Sequence, residues 1–274
     1  MVATHPRRLL QHYGLHPKKS LGQNFLVDEG GLRRIVAAAD LTESDVVLEI
    51  GPGLGSLTRC LAAEAGRVVA VELDGRLIPV LEDQLAGIPN IQLIHGDILS
   101  LNPAALAGDC YKVVANLPFY ITGAILRHLL GAKPRPRMMV LTVQHEVAQR
   151  LTAAPGRLSL LAVSVQYYGQ VSRVARLKAG SFYPRPEVDS AVVRVDMYQE
   201  PPFDVPDDEW FFRVVRAGFG QKRKQLRNGL RSGLGLPAAE AEALLAAAGI
   251  DHRRRAETLS LEEWASLARY AAEK

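Results

Sequence analysis

The chain has 274 residues, 48% hydrophobic and 23% charged, with a formal charge of +4 and a pI near 9.1. That length can bury a large core in one large domain or one large and one small, and the mild positive charge admits an anionic partner without requiring one. Cys60 and Cys110 stand apart with no C-x-x-C pair, which argues against a zinc site or a disulfide framework and fits a reducing cytoplasm. The basic N-terminus has no apolar core of a signal peptide, and no apolar run reaches about 18 residues, so neither secretion nor a membrane span is expected.

Residues 1–27 are polar and basic, with Arg7, Arg8, Lys18 and Lys19, and lead into Leu21-Gly22-Gln23-Asn24-Phe25-Leu26. Two amides and two apolar groups just before Asp28 suit a segment that closes over a ligand better than a solvated tail. Asp28 is a plausible N-cap for amphipathic Leu32–Ala39. Val46–Ile50 is a short apolar strand, and Gly51-Pro52-Gly53-Leu54-Gly55 turns it into a helix starting near Ser56. Glycines there let the backbone approach a ligand. The next strand, Val68–Val71, ends at Glu72, whose carboxylate can accept from both hydroxyls of a ribose in an NAD-binding or S-adenosylmethionine-binding fold. Ile91–Ile94 leads to His95-Gly96-Asp97, where Asp97 can take the amino group of an adenine ring.

A fourth strand, Tyr111–Ala115, delivers Asn116-Leu117-Pro118-Phe119. An Asn side chain offers a carbonyl acceptor, and Pro118 biases Leu117 toward an extended backbone whose carbonyl can turn outward. Two acceptors can then converge on one amino group, while Phe119 offers a flat face for a base extruded from its stack. Methylation of an exocyclic amine on a nucleobase requires that combination; the plainer alternative is a strand-to-helix turn with a buried aromatic. Arg137–Val143 is the fifth strand, and helical patterns run over Leu77–Leu85, Ile125–Leu130 and Val147–Leu151. This alternation predicts an α/β fold with a doubly wound, mostly parallel, Rossmann-like sheet, and it puts Gly51, Glu72, Asp97 and Asn116 at strand carboxyl ends.

His145-Glu146 begins a zinc-protease pattern, but position 149 is Gln and the second histidine is missing. Leu158–Tyr168 reads as an apolar core helix. Val171–Lys178 and Ala191–Tyr198 alternate with period two and resemble an antiparallel pair completing the sheet. Between them, Phe182 in the loop Ser181–Pro186 is either an anchor or the opposite wall of a base pocket. Pro201-Pro202 through Pro206-Asp207-Asp208 looks like a linker, dividing a catalytic domain, 1–200, from a small helical domain, 201–274. From Trp210 to Ala239 the chain carries Arg213, Arg216, Lys222, Arg223, Lys224, Arg227 and Arg231 and no acid. Apolar residues interleave with them, which predicts a folded helix with a basic, phosphate-binding face, the alternative being a merely solvated one. Arg253-Arg254-Arg255 adds to it.

With these pieces in place the sequence resembles the ribosomal RNA adenine N6-dimethyltransferases, most closely the bacterial small-subunit (16S) family whose loss gives kasugamycin resistance. The likeness is carried by Leu21–Leu26, Leu48-Glu49-Ile50-Gly51-Pro52-Gly53, Val71-Glu72, Gly96-Asp97, Asn116-Leu117-Pro118, Phe182–Ser190 and Phe219–Asn228. The resemblance implies an S-adenosylmethionine-dependent enzyme that dimethylates two adjacent adenosines in a hairpin loop near the 3′ end of small-subunit rRNA, contributing to ribosome biogenesis. Asn24, Leu26, Gly51, Glu72, Asp97 and Asn116 would contact S-adenosylmethionine, with Gln23, Gly53 and Ile98 beside them. Asn116, Leu117, Pro118, Phe119 and Phe182 would form the catalytic pocket, and Arg213, Arg216, Lys222, Arg223, Lys224 and Arg227 would hold RNA in the small-subunit rRNA or a 30S assembly intermediate. A cytoplasmic monomer is expected. The family loop usually has Tyr where this chain has Phe119, which keeps the stacking face and removes a hydroxyl. Three rivals are a large-subunit (23S) methyltransferase of the macrolide-resistance type, a non-catalytic RNA-binding assembly factor and an NAD-dependent oxidoreductase. The last leaves Asn-Leu-Pro-Phe and the basic segment unexplained.

Overall fold

The computed structural model describes residues 5–221 and 223–272. α1 (Pro6–His12) and the short β1 (Phe25–Leu26) precede α2 (Glu29–Ala39), whose first turn is capped by the Asp28 carboxylate accepting from Gly30 N–H at 3.0 Å. Then come β2 (Val46–Ile50), α3 (Ser56–Ala62), β3 (Arg67–Glu72), α4 (Ile78–Gln84), β4 (Ile91–His95), α5 (Pro103–Ala107), β5 (Lys112–Asn116), α6 (Thr122–Gly131) and β6 (Met138–Gln144). These five strands fall within a residue of their expected bounds, because short apolar runs closed by turn residues are what a sheet buried on both faces demands. α7 (His145–Leu151), α8 (Leu160–Tyr168), β7 (Gly169–Leu177), β8 (Phe182–Tyr183) and β9 (Ser190–Met197) follow.

The main sheet has the order β4-β3-β2-β5-β6-β9-β7. β2 to β6 pair in parallel, and β9 joins β6 antiparallel, with Gln144 opposite Ser190. The two period-two segments are therefore neighbours at the sheet edge, as their alternation predicts. Strand order reverses between β2 and β5, which opens a crevice at their carboxyl ends. β1 and β8 form a separate antiparallel pair, with Leu26 opposite Phe182.

At the opposite end of β2 and β5, Asp45 is buried and its carboxylate accepts from Lys112 Nζ at 3.0 Å, from Thr42 N–H at 2.8 Å and from the Arg137 guanidinium. Lys112 also donates to the carbonyls of Ala39 (3.0 Å) and Asp40 (2.5 Å). Burial pushes the Asp45 carboxyl up, but the hydrogen bonds and charge of Lys112 and the Thr42 donors outweigh it and hold the group below its ordinary value.

The chain forms two compact units, one running to Ala148 and including Gln170–Met197, the other Gln149–Gly169 and the chain from Tyr198. The boundary expected at residue 200 lies close to the second crossing. Residues 149–169, expected in the first domain, group with the second, because the Tyr167 and Tyr168 hydroxyls donate to the Asp208 carboxylate at 2.8 and 2.9 Å and Tyr167 stacks on Phe211. This unit carries α9 (Asp208–Phe219), α10 (Leu226–Leu234), α11 (Ala238–Ala247) and α12 (Leu261–Ala272).

The single basic helix expected over Trp210–Ala239 is in fact two, α9 and α10, which fold back on each other. Glycines permit the close approach: a Cβ at Gly229 would lie 2.8 Å from the carbonyl oxygens of both Ala217 and Gly218, and one at Gly233 would lie 2.5 Å from Ala217 Cα. Gly229→Ala gains about 1 kcal/mol of helix propensity, but the oxygens it meets are backbone and cannot rotate away, so overpacking of about 1–3 kcal/mol wins. Urea unfolding is expected to show a net loss of up to about 2 kcal/mol; a gain would show that the two helices have room to separate. Among the described residues no helix is long and apolar enough to cross a membrane.

Candidate active site

The carboxyl ends of β2, β3, β4 and β5 converge on an open pocket whose empty space, counted together with the solvent at its mouth, is about 1130 Å³. After β2 the chain turns through Gly51 (φ +70°) and Gly53 (φ +61°), a left-handed backbone that only glycine adopts without strain, and a Cβ on Gly53 would press on the Phe25 ring at 2.9 Å. Glu72, at the end of β3, clamps this turn: Oε2 accepts from Gly53 N–H at 3.1 Å and Oε1 from Asp74 N–H at 2.8 Å. Burial pushes its carboxyl up, and these two donors oppose the shift. A carboxylate has acceptor capacity beyond these donors, and Glu72 lines the pocket. Asp97, past β4, is exposed; its Oδ1 accepts from Leu99 N–H at 2.9 Å and caps the 3₁₀ turn Ile98–Ser100, in which Ile98 is buried.

The segment before α2 frames the pocket through polar contacts. Gln23 Nε2 donates to Asp74 at 2.8 Å, and its Oε1 accepts from Lys18 N–H at 2.7 Å. Gln23 thus acts as a strut between this segment and the tip of β3. Asp74 also accepts from Arg76 at 2.6 and 2.9 Å, which holds its carboxyl well below the usual carboxylate range. Leu26 is buried beside Phe182, and the Asn24 carbonyl accepts from Asn116 Nδ2 at 3.0 Å.

That last bond orients the Asn116 amide. With its NH₂ end consumed by Asn24, Oδ1 is the end left to accept from a ligand. Leu117 N–H donates to the Thr142 carbonyl at 3.1 Å, and the Leu117 carbonyl lies past the last ladder pair, Asn116 with Thr142. Pro118 has no N–H and holds an extended backbone that starts the 3₁₀ turn Phe119–Ile121. Phe119 is half-buried in the pocket wall. Phe182 is buried in a core cluster with Leu26 and Leu32 and also lines the pocket, so the two roles open to it coincide in one position.

All of the candidates Gln23, Asn24, Leu26, Gly51, Gly53, Glu72, Asp97, Ile98, Asn116, Leu117, Pro118, Phe119 and Phe182 line this one pocket. Residues missed in the sequence join them, notably Glu49 and the exposed Tyr120. An acid inside the apolar run of β2 is a signal that points to Glu49, since carboxylates are seldom fully buried without a partner.

In the helical unit Arg213 and Arg216 are exposed on α9, and Arg213 lies over the Trp210 ring at 5.3 Å. Lys222 lies outside the described residues. Lys224 shares a second, shallow pocket with Arg231, Gln221, Asn228, Ser232 and Leu236. Among the described residues no carboxylate pairs with Arg213, Arg216, Arg223, Lys224 or Arg231, whereas Arg227 is tied to Glu242 at 2.6 Å. Arg253 and Arg254 are likewise paired, with Asp251 at 3.1 Å and Glu263 at 2.5 Å.

Residues 14–273 match the family described as ribosomal RNA adenine dimethylase. The chain is 48% identical over 263 residues to ribosomal RNA small subunit methyltransferase A of Dehalococcoides mccartyi (strain CBDB1), covering 95% of this chain and 90% of that one. The protein of the same name from Moorella thermoacetica is 48% identical over 282 residues, covering 98% of each. Among solved structures the fold is similar to the 23S rRNA methyltransferase ErmE, with a TM-score of 0.74 and 31% identity over 90% of this chain and 99% of that one. A dimethyladenosine transferase from Plasmodium falciparum has the same fold, with a TM-score of 0.78 at 24% identity over 89% of this chain and 95% of that one.

Proposed function

Because the chain belongs to the ribosomal RNA adenine dimethylase family, it is an rRNA methyltransferase that uses S-adenosylmethionine, and we propose that it dimethylates N6 of two adjacent adenosines near the 3′ end of small-subunit rRNA. The reading rests above all on the fixed Asn116 amide, which presents Oδ1 to a pocket also lined by the Leu117 backbone and the Phe119 ring. The small subunit is favoured over the large because the relatives at 48% identity bear that name, while the 23S enzyme ErmE stands at 31%.

The residues present fit the methyl donor. Glu72 holds a carboxylate over the glycine turn where two ribose hydroxyls can donate, and Asp97 stands exposed for an adenine amino group. When bound, the donor supplies a methyl group on a positively charged sulfur. The adenine amino nitrogen is a poor nucleophile because its lone pair is delocalised into the ring. Asn116 Oδ1 and the Leu117 carbonyl accept its two N–H groups, which favours a pyramidal nitrogen with its lone pair turned toward the methyl. Phe119 carries the base face, with Phe182 across from it. The N–C bond forms as the S–C bond of the donor breaks, and the proton, made acidic once the nitrogen carries the methyl, leaves to solvent, so the barrier falls through positioning and no dedicated base is needed. A monomethylated nitrogen still has one N–H for these acceptors, which permits the second transfer.

Arg213, Arg216, Lys222, Arg223 and Lys224 are proposed to hold RNA phosphates, Arg227 contributing less because Glu242 already neutralises it. The substrate is then the rRNA of a partly assembled small subunit, and the enzyme a cytoplasmic monomer.

Labelled methyl transfer from S-adenosylmethionine to unmodified small and large subunits, followed by nucleoside analysis, tests the proposal. N6-dimethyladenosine in small-subunit rRNA is expected; label in large-subunit rRNA alone would overturn the choice of substrate. In the same assay Phe119→Ala is expected to cost about 1–3 kcal/mol in RNA-dependent kcat/KM, and Phe119→Tyr to stay active because every base stacks on either ring. Equal activity of both variants would reduce Phe119 to a packing residue.

A further inference from the structure

A pocket that takes one base at a time leaves open what becomes of the base beside it. Drawing the target out of its stack strips a stacking partner from its neighbour, and that loss opposes the extruded state. An aromatic ring at the mouth of the pocket can replace the lost partner, since every base has a π-face.

Tyr120 has that position. It follows Phe119 in the 3₁₀ turn Phe119–Ile121, where three residues per turn set successive side chains about 120° apart. Phe119 is half-buried in the pocket wall, whereas Tyr120 lines the same pocket and is 56% exposed, more than any other large hydrophobic side chain among the described residues. A single exposed aromatic is ordinary in itself, but this one is supported from behind. Gly22 closes the 3₁₀ turn Lys19–Leu21 with a left-handed backbone (φ +60°), and a Cβ there would lie 3.2 Å from Tyr120 Cδ1 and 3.3 Å from Pro118 Cβ. Glycine thus lets the ring rest against this turn. The Gly22 carbonyl accepts from Asn24 Nδ2 at 3.1 Å, and the Asn24 carbonyl accepts from Asn116 Nδ2 at 3.0 Å. One chain of hydrogen bonds therefore joins the support of Tyr120 to the Asn116 amide. Lys19, whose carbonyl accepts from Gly22 N–H at 3.0 Å, is exposed, and among the described residues no carboxylate pairs with it. A free cation beside an aromatic ring suits single-stranded nucleic acid.

We infer that Tyr120 is a stacking platform for the nucleobase that flanks the target, so that the enzyme holds two successive bases, the target against Phe119 and its neighbour on Tyr120. Whichever of two adjacent adenosines is the target, the flanking base is a different one, and stacking tolerates the exchange. The inference rests on the target base entering this pocket.

Steady-state methylation of unmodified small subunits by the full chain tests it. Tyr120→Ala is expected to lower kcat/KM for subunits roughly 5- to 150-fold, the range of one base–aromatic stack, with the Michaelis constant for S-adenosylmethionine unchanged. Tyr120→Phe keeps the ring and is expected to match the parent; Tyr120→Leu keeps apolar bulk without an aromatic plane and is expected to stay low. Recovery in Tyr120→Leu, failure of Tyr120→Phe, or a loss in Tyr120→Ala confined to S-adenosylmethionine would each overturn the inference, leaving Tyr120 a prop for the Gly22 turn or a hydrogen-bonding group. Full activity of Tyr120→Ala beside an impaired Phe119→Ala would overturn it while sparing the pocket, whereas full activity of both would count against base entry itself. Ultraviolet cross-linking of the parent protein on the same subunits, read by mass spectrometry of peptide–nucleotide adducts, locates the contact: a Tyr120 adduct is expected within one nucleotide of the methylated adenosines, and one mapped elsewhere in the RNA would refute the role.

Discussion

Asn116→Ala is expected to slow single-turnover methylation by roughly 10²–10³ at saturating RNA and donor, the loss that follows removal of one preorganised transition-state contact. That factor corresponds to about 2.7–4 kcal/mol. The same substitution also removes the hydrogen bond from Asn116 Nδ2 to the Asn24 carbonyl, but a bond of that kind contributes only about 0.5–1.5 kcal/mol. Loosening of the segment before α2 therefore accounts for at most about a tenfold effect, and it would appear as weaker donor binding rather than slower chemistry. RNA affinity, proposed above to be carried by exposed cations of the helical unit, should barely change. Rapid-quench methylation run beside calorimetry with S-adenosylmethionine separates the two effects. A rate within tenfold of the parent, with donor affinity reduced, would remove Asn116 from the chemistry and leave it a purely structural role.

Asp45→Ala is expected to destabilise the first unit by about 3–5 kcal/mol, because it strands the buried Lys112 ammonium without a counter-charge. The Ala39 and Asp40 carbonyls still accept from Lys112, but neither is charged. Arg137 is about half exposed and loses little when Asp45 goes, so the cost comes from Lys112. Replacing both members, Asp45→Ala with Lys112→Met, is expected to recover much of the loss, since the uncompensated charge is then gone. Urea unfolding of the two single variants and the double variant measures this; a double variant as unstable as the sum of the singles would show that the pair is not coupled. The folded-state pKa of Asp45 lies below its unfolded value of about 3.9. Its contribution is therefore present above that unfolded value and lost as pH falls through the lower folded one. Asp45→Ala should accordingly flatten the acid limb of the stability profile. Donor affinity per folded molecule should not move, because Asp45 and Lys112 sit at the end of the strands away from the pocket.

The sequence by itself determined the strands, the cap at Asp28, the glycine turn at Gly51–Gly55 and the placing of Glu72, Asp97 and Asn116 at strand ends. Each is a short-range matter: apolar runs between turn residues, an oxygen two residues ahead of an orphan N–H, a backbone angle only glycine tolerates. Tertiary structure alone decided what depends on partners far along the chain. Gln23 becomes a strut only because Asp74 lies opposite it, and Arg227 is neutralised by Glu242 from a different helix. The run from Trp210 to Ala239 breaks in two because Gly229 and Gly233 let α10 lie against Ala217 more closely than any side chain would allow, a saving invisible to helix periodicity. Residues 149–169 join the helical unit through Asp208, about 40 positions away, and no local pattern announces that contact. Glu49 shows the same division within one residue. Its place in β2 follows from its neighbours, but its burial exists only because β3, β5 and α3 close around it and remove the water that would otherwise solvate it.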